Sequence, residues 1–179
     1  MDNGASSYRR FLDGDEGAFD EIMEALFDSL VFFIDRYVQD IHAAEDIAID
    51  VFSDLVVNRQ RYNFKVTLKT YLYMLGRSRA LNYIRRRKIL TFVELEEVGE
   101  EACPEEPLLA DARRRAVSAA LSRLPKAMRE VVQLVYFEEL SYEEAAKVMK
   151  KNRKQVDNLL YRAKKELRVI LGKDGELLL

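Results

Sequence analysis

Three groups of side chains in this 179-residue chain could do chemistry. Glu45, Asp46 and Asp50 are clustered carboxylates, a residue type that can ligate Mg²⁺ or act as an acid and base pair. They lie in a helical repeat with no partnering His, Lys or glycine-rich phosphate loop, so a solvated or protein-binding face explains them with fewer assumptions. The run Arg59-Gln-Arg-Tyr-Asn-Phe-Lys65 interleaves cations with Tyr62 and Phe64. Bases stack on aromatics while cations follow the backbone, so the run suits single-stranded nucleic acid. It suits equally a loop whose aromatics cap a helical core. The third group is Arg153, Lys154, Gln155, Asn158, Tyr161, Arg162 and Lys165, the long polar and cationic side chains that a helix needs in order to read a major groove. A single cysteine, Cys103, cannot close an internal disulfide, and a single histidine, His42, leaves no Cys/His cluster for zinc. No metal, cofactor or small-molecule substrate is expected, and no catalytic constellation marks an enzyme.

Charge is segregated behind a net value of -2. Thirteen acids stand against the lone base Arg36 between Asp13 and Asp54, and ten bases with no acid follow between Arg59 and Lys88. Eight acids with no base occupy Glu94 to Asp111, and eight bases against two acids occupy Lys150 to Arg168. The acidic blocks repel DNA and the basic blocks attract phosphate. Random scatter rarely leaves thirty residues free of one sign, so a solvated surface alone is the weaker explanation.

The elements that must position these groups are helical. Seven glycines and three prolines leave little material for the turns of a β-rich fold. Phe19, Ile22, Met23, Leu26, Phe27, Leu30, Phe33, Ile34 and Tyr37 recur at spacings of three and four and predict a long first helix. Ala44, Ile47, Ala48, Val51 and Leu55 predict a second, with the acids opposite. A third begins near Thr67, with Leu68, Leu72, Leu75, Leu81 and Ile84 inside and arginines outside. Residues 87–111 lose this periodicity and contain Pro104 and Pro107, which predicts a flexible acidic linker. Beyond it Pro125 suits the first turn of a helix that places Met128, Val131, Val132 and Val135 on one face. Ser141 with Glu144 forms a capping box, and Asn152 with Gln155 repeats the arrangement after a short break. Two short helices across a tight turn, the second basic on its outer face, make a helix-turn-helix. The expected fold is all-α: a three-to-four-helix domain over 1–88, a linker over 89–111 and a helix-turn-helix domain over 112–179. No apolar run reaches the roughly 20 residues needed to span a bilayer and the first ten residues lack a signal-peptide core, so no membrane insertion and a cytoplasmic location are expected.

Taken together, these stretches resemble a known family. Ala44-Glu-Asp-Ile-Ala-Ile-Asp-Val-Phe52 resembles the second-region helix of extracytoplasmic-function sigma factors, and Thr70-Tyr-Leu through Asn82-Tyr-Ile-Arg-Arg-Arg-Lys88 resembles the promoter-melting helix that follows it. Leu121-Ser-Arg-Leu-Pro-Lys-Ala-Met-Arg129, Leu140-Ser-Tyr-Glu-Glu-Ala-Ala146 and Tyr161-Arg-Ala-Lys-Lys-Glu-Leu167 resemble its fourth region. The resemblance implies a subunit that docks on core RNA polymerase, binds promoter DNA and is held by an anti-sigma partner. It assigns Asp46, Asp50, Phe52 and Asp54 to polymerase. Arg61, Tyr62, Asn63, Phe64, Lys65, Lys69, Tyr71, Arg77, Ser78, Asn82, Arg85 and Arg86 fall to the minus-ten element. Lys126, Arg129, Arg153, Lys154, Gln155, Asn158, Tyr161, Arg162 and Lys165 fall to the minus-thirty-five element. The family's usual Trp appears here as Tyr71, its usual Asn as Ser78 and its usual Asp as Asn82, which bears on minus-ten specificity. Lys150 and Lys151 stand where the family usually has Gly and an aliphatic residue. A stand-alone helix-turn-helix regulator is the rival reading, but it has no use for the basic N-terminal domain; a nucleic-acid enzyme is a more distant one.

Overall fold

The computed structural model describes residues 4–91, 117 and 119–171. Among the described residues every regular element is helical, and the chain divides into two compact units, Met1–Glu100 and Glu101–Leu179. The expected linker lies outside the described residues from position 92 onward, and positions 89–91 belong to a helix.

The first unit is built from α1 (Ala5–Leu12), α2 (Gly17–Val38), α3 (Ile41–Val57), a 3-10 turn (Arg59–Arg61) and α4 (Leu68–Thr91). The apolar repeat of α2 is buried through Ile22, Leu26, Leu30, Phe33 and Ile34, and that of α3 through Ala44, Ile47, Ala48, Val51 and Leu55. Between them Gln39 takes a left-handed conformation (φ 54°), and Asp40 caps α3 by accepting the amide of Ala43 at 3.1 Å. Gly76 lets α4 lie close on α2, since a Cβ there would meet Leu30 Cδ1 at 3.0 Å and Ile34 Cδ1 at 3.2 Å. The helix α1 is additional to the three read from periodicity. Ser7 and Arg10 hold it to α2 through the carboxylate of Glu21, while Tyr8 and Phe11 go into the core.

The second unit contains a helical stretch at 119–122, α5 (Lys126–Val132), a π turn (Gln133–Phe137), α6 (Tyr142–Met149) and α7 (Arg153–Leu171). Met128, Val131 and Val132 are buried as their spacing predicts, but the next core position is Leu134 rather than Val135. A π turn follows at this point, in which the Glu138 amide donates to the carbonyl of Gln133 five residues back. The capping box is formed, with the Ser141 amide donating to Glu144 Oε2 at 2.9 Å and the Glu144 amide to Ser141 Oγ at 3.3 Å. The Asn152 pair is also reciprocal, at 3.0 and 2.8 Å.

Between α6 and α7, Lys150 is left-handed (φ 54°, ψ 45°), and Lys151 donates to the carbonyl of Ala146. That conformation presses a side-chain Cβ toward the following carbonyl oxygen, whereas glycine avoids the clash. Lys150→Gly is therefore expected to stabilise the second unit by about 0.5–1 kcal/mol, the gain being trimmed by glycine's larger entropy when unfolded. Urea unfolding followed by circular dichroism checks this, and a midpoint that stays or falls refutes it.

Candidate nucleic-acid interface and docking face

The acidic face of α3 presents Asp46 and Asp50 to solvent beside Ile49, whose side chain is also exposed (51%). Asp50 is lightly engaged, with Oδ2 3.6 Å from Arg79 Nη1. Asp54 is only 13% exposed and acts inside the fold. Its carboxylate accepts from Asn58 Nδ2 at 2.6 Å and from Arg61 Nη1 at 3.1 Å, and it lies 3.4 Å from Arg79 Nη2. It thereby joins the end of α3, the following turn and α4. Phe52 is 2% exposed and packs against Phe19 and Phe27 at ring separations of 6.2 and 5.8 Å. Of the expected docking set, Asp46 and Asp50 lie at the surface, Asp54 joins three elements of the fold, and Phe52 is buried beneath the face.

The loop between α3 and α4 sorts its aromatics in a way composition alone leaves open. Tyr62 is 3% exposed, donates its hydroxyl to the Val66 carbonyl at 2.7 Å, and lies between Tyr8, Phe64 and Tyr71 at ring separations of 5.5, 4.6 and 5.2 Å. It is a core residue and offers no stacking face to DNA. Phe64 is partly exposed and left-handed (φ 59°), an uncommon state for a bulky side chain that tertiary contacts must hold. Those contacts are Tyr62 on its ring and an Asx turn in which Asn63 Oδ1 accepts the amide of Lys65 at 3.2 Å. Asn63 and Lys65 face solvent, whereas Arg61 is paired with Asp54. Tyr71 is half-buried, and burial followed by the nearby charge of Asp54 raises its phenol pKa.

Thr67 caps α4, its Oγ1 accepting the amide of Thr70 at 3.2 Å. Ser78, Asn82, Arg85 and Arg86 follow at helical spacing along one side, the last three exposed, with Arg85 Nη1 3.3 Å from Asn82 Oδ1. Arg77 is partly exposed, and Lys69 lies over the Tyr73 ring with Nζ 5.5 Å from its centroid. These residues and Phe64 belong to one unit that carries cations on the outside and an aromatic cluster within. α1 contributes the part missed in the sequence: Tyr8, Phe11 and Arg9 all pack on this loop or its neighbours. The only signal was Tyr8 and Phe11 three residues apart ahead of Gly14.

In the helix-turn-helix, Val156, Leu160, Ala163 and Leu167 are buried while Arg153, Lys154, Gln155, Asn158, Tyr161, Arg162 and Lys165 are all exposed. Arg153 Nε lies 3.1 Å from Glu143 Oε1 and ties the two helices together. Gln155 already uses Oε1 in the cap with Asn152, so its amide NH₂ is the pole left for a base. Lys126 is exposed at the start of α5, but Arg129 turns inward, donating from Nη2 to the carbonyls of Ser122 and Leu124 at 2.6 and 3.2 Å. Those carbonyls lie where a helix ends, and carbonyls there lack helical partners and need a donor.

The family model for Sigma-70 region 2 matches residues 22–89, and that for Sigma-70 region 4 matches residues 114–167. The chain is 23% identical over 156 residues to the ECF RNA polymerase sigma factor SigM of Bacillus subtilis, a match covering 86% of this chain and 95% of that protein. It is 29% identical over 168 residues to the RNA polymerase sigma-H factor of Pseudomonas aeruginosa, covering 86% of each. The chain belongs to the extracytoplasmic-function sigma factors. Among solved structures, the sigma factor RpoE of Bartonella quintana, crystallised with the anti-sigma factor NepR, shares the fold at a TM-score of 0.68 and 20% identity, over 87% of this chain and 98% of that one. In sigma terms the α3 face, the loop and α4 lie within region 2, and the helix-turn-helix lies within region 4. α1 lies outside both matched segments.

Proposed function

We propose that this sigma factor docks on core RNA polymerase through Asp46 and Asp50, reads the minus-ten element with Phe64, Lys65 and the exposed side of α4, and reads the minus-thirty-five element with the start of α7. The protein directs polymerase to specific promoters and assists DNA opening. The observation that carries the residue assignment is the sorting of charge by element: carboxylates alone on the outer face of α3, cations alone on α4, and cations outside an apolar stripe on α7. Polymerase then meets the acidic face and DNA the basic ones, since like charges repel at each wrong pairing. An anti-sigma partner fits the same surfaces, competing with polymerase. The chain's part is positioning and strand capture, with bond-making left to polymerase, and its working place is the cytoplasm. Among the described residues no helix is long and apolar enough to cross a membrane.

Charge reversal tests the docking face. Asp46 and Asp50 project away from the buried stripe of Ile47, Val51 and Leu55, so Asp46→Lys with Asp50→Lys is expected to leave the helical dichroism unchanged while abolishing co-purification with core polymerase. Undiminished co-purification refutes the assignment.

A further inference from the structure

The eight-residue helix α1 carries two adjacent arginines with different fates. Arg10 is exposed but paired, its guanidinium donating to Asp15 and Glu21; these bonds raise its pKa, and the one to Asp15 lowers the Asp15 pKa. Arg9 points the other way. It is exposed, no carboxylate among the described residues pairs with it, and its guanidinium carbon lies 4.9 Å from the centroid of the Phe64 ring. Phe64 is the half-exposed, left-handed aromatic of the loop, and Lys65 beside it faces solvent.

A guanidinium resting on an aromatic face is held in place without using its N–H donors, which leaves the planar fork free for a phosphate. Neighbouring arginines have their donors engaged: Arg61 pairs with Asp54, Arg79 with Asp50 and Asp54, and Arg59 donates from Nε to the Val56 carbonyl at 3.3 Å. We infer that Arg9 is part of the single-strand binding site, completing it with Phe64 and Lys65 by neutralising a phosphate of the opened strand as it crosses the loop. The match to region 2 begins at residue 22, so the site draws on a helix outside the matched segment. This inference rests on the reading of the loop as the strand-binding element, and its test separates the two.

Holoenzyme carrying Arg9→Gln, Arg9→Lys or Phe64→Ala is titrated with a promoter fork whose minus-ten region is single-stranded, at several salt concentrations. The expected result is that Arg9→Gln weakens fork binding by roughly tenfold, the lower end of what a hydrogen bond to a charged group contributes. The slope of log affinity against log salt flattens by about 0.7, the value for one phosphate contact on a single strand. Arg9→Lys keeps the slope because it keeps the charge. Weakened binding with an unchanged slope overturns the inference, since Arg9 then acts only on loop shape. Wild-type binding by Arg9→Gln beside defective Phe64→Ala overturns it too and leaves the loop reading standing. Wild-type binding by both variants removes the loop reading and the inference with it.

Discussion

Replacing Tyr8 with alanine is expected to destabilise the first unit by about 3–5 kcal/mol, the range for emptying a fully buried aromatic site. Tyr8 has no exposed surface, and its ring lies 5.9 Å from Phe11, 5.5 Å from Tyr62 and 6.1 Å from Phe64. Its hydroxyl is shared between the carbonyls of Leu55 and Arg59, each at 3.0 Å. Leu55 is in the last turn of α3, where carbonyls run out of helical partners, so one side chain from α1 closes the end of α3 and fixes the start of the loop. Tyr8→Phe keeps the ring and loses the donor, which is expected to cost about 1–3 kcal/mol. The two variants also differ from wild type in alkali. Burial is the main cause that lifts the Tyr8 phenol to about 12, with Tyr71 adding to it and Arg59 opposing. An unfolded tyrosine titrates near 10, so this group's contribution is complete below pH 10 and is lost as pH rises from 10 through about 12. The stability gap between wild type and Tyr8→Phe is therefore expected to narrow above pH 10. Urea unfolding across pH checks both parts. A loss below 1 kcal/mol for Tyr8→Ala, or a constant gap in alkali, refutes this account of α1.

Why α1 escaped the sequence reading is a matter of signal length. A helix of eight residues that buries only Tyr8 and Phe11 offers one spacing of three, too little for periodicity, whereas α2 offers nine apolar positions and was legible almost to its ends. Local chemistry was legible wherever partners are near in sequence. The caps at Ser141 and Asn152 follow from residue types within four positions of each other, whereas the left-handed turn at Lys150 was marked only by the resemblance, which has a glycine there. What depends on distant partners was not. Tyr62 and Phe64 look alike in composition, and only the approach of Tyr8 and Tyr71 decides that the first is core and the second is partly free. Asp54 is one more carboxylate on an acidic helix until Arg61 and Arg79 close on it. Arg129 is one more exposed cation until the chain reversal at Pro125 brings the carbonyls of Ser122 and Leu124 to it. The burial of Leu134 rather than Val135 likewise has no mark in the pattern, because the two apolar residues are adjacent and either could face inward.

The structure also changes which mutations should separate sequence reading from phosphate anchoring in the helix-turn-helix. A cation on phosphate adds affinity without information, while a side chain at a base edge adds discrimination. Lys154 and Asn158 are exposed on the first two turns of α7, the end that enters a major groove, and neither is used in capping. Arg162 and Lys165 are exposed one and two turns farther along, where a helix leaves the base edges and passes the backbone. Lys154→Ala and Asn158→Ala are therefore expected to cost roughly 1–3 kcal/mol on the matched minus-thirty-five sequence and little on a scrambled one. Arg162→Ala and Lys165→Ala should weaken both alike and flatten the salt dependence by about 0.9 each. Gln155→Ala stands apart, because it removes the cap on Asn152 as well as a base contact and should lower stability by about 1 kcal/mol besides. Arg129→Ala is expected to act through stability, with the salt slope unchanged, since its guanidinium is held by Ser122 and Leu124. Titrations of holoenzyme on matched and scrambled promoters at several salt concentrations, paired with unfolding of each free variant, distinguish these classes. Equal losses on both promoters for Lys154→Ala and Asn158→Ala would show that the start of α7 anchors to the backbone rather than reading bases.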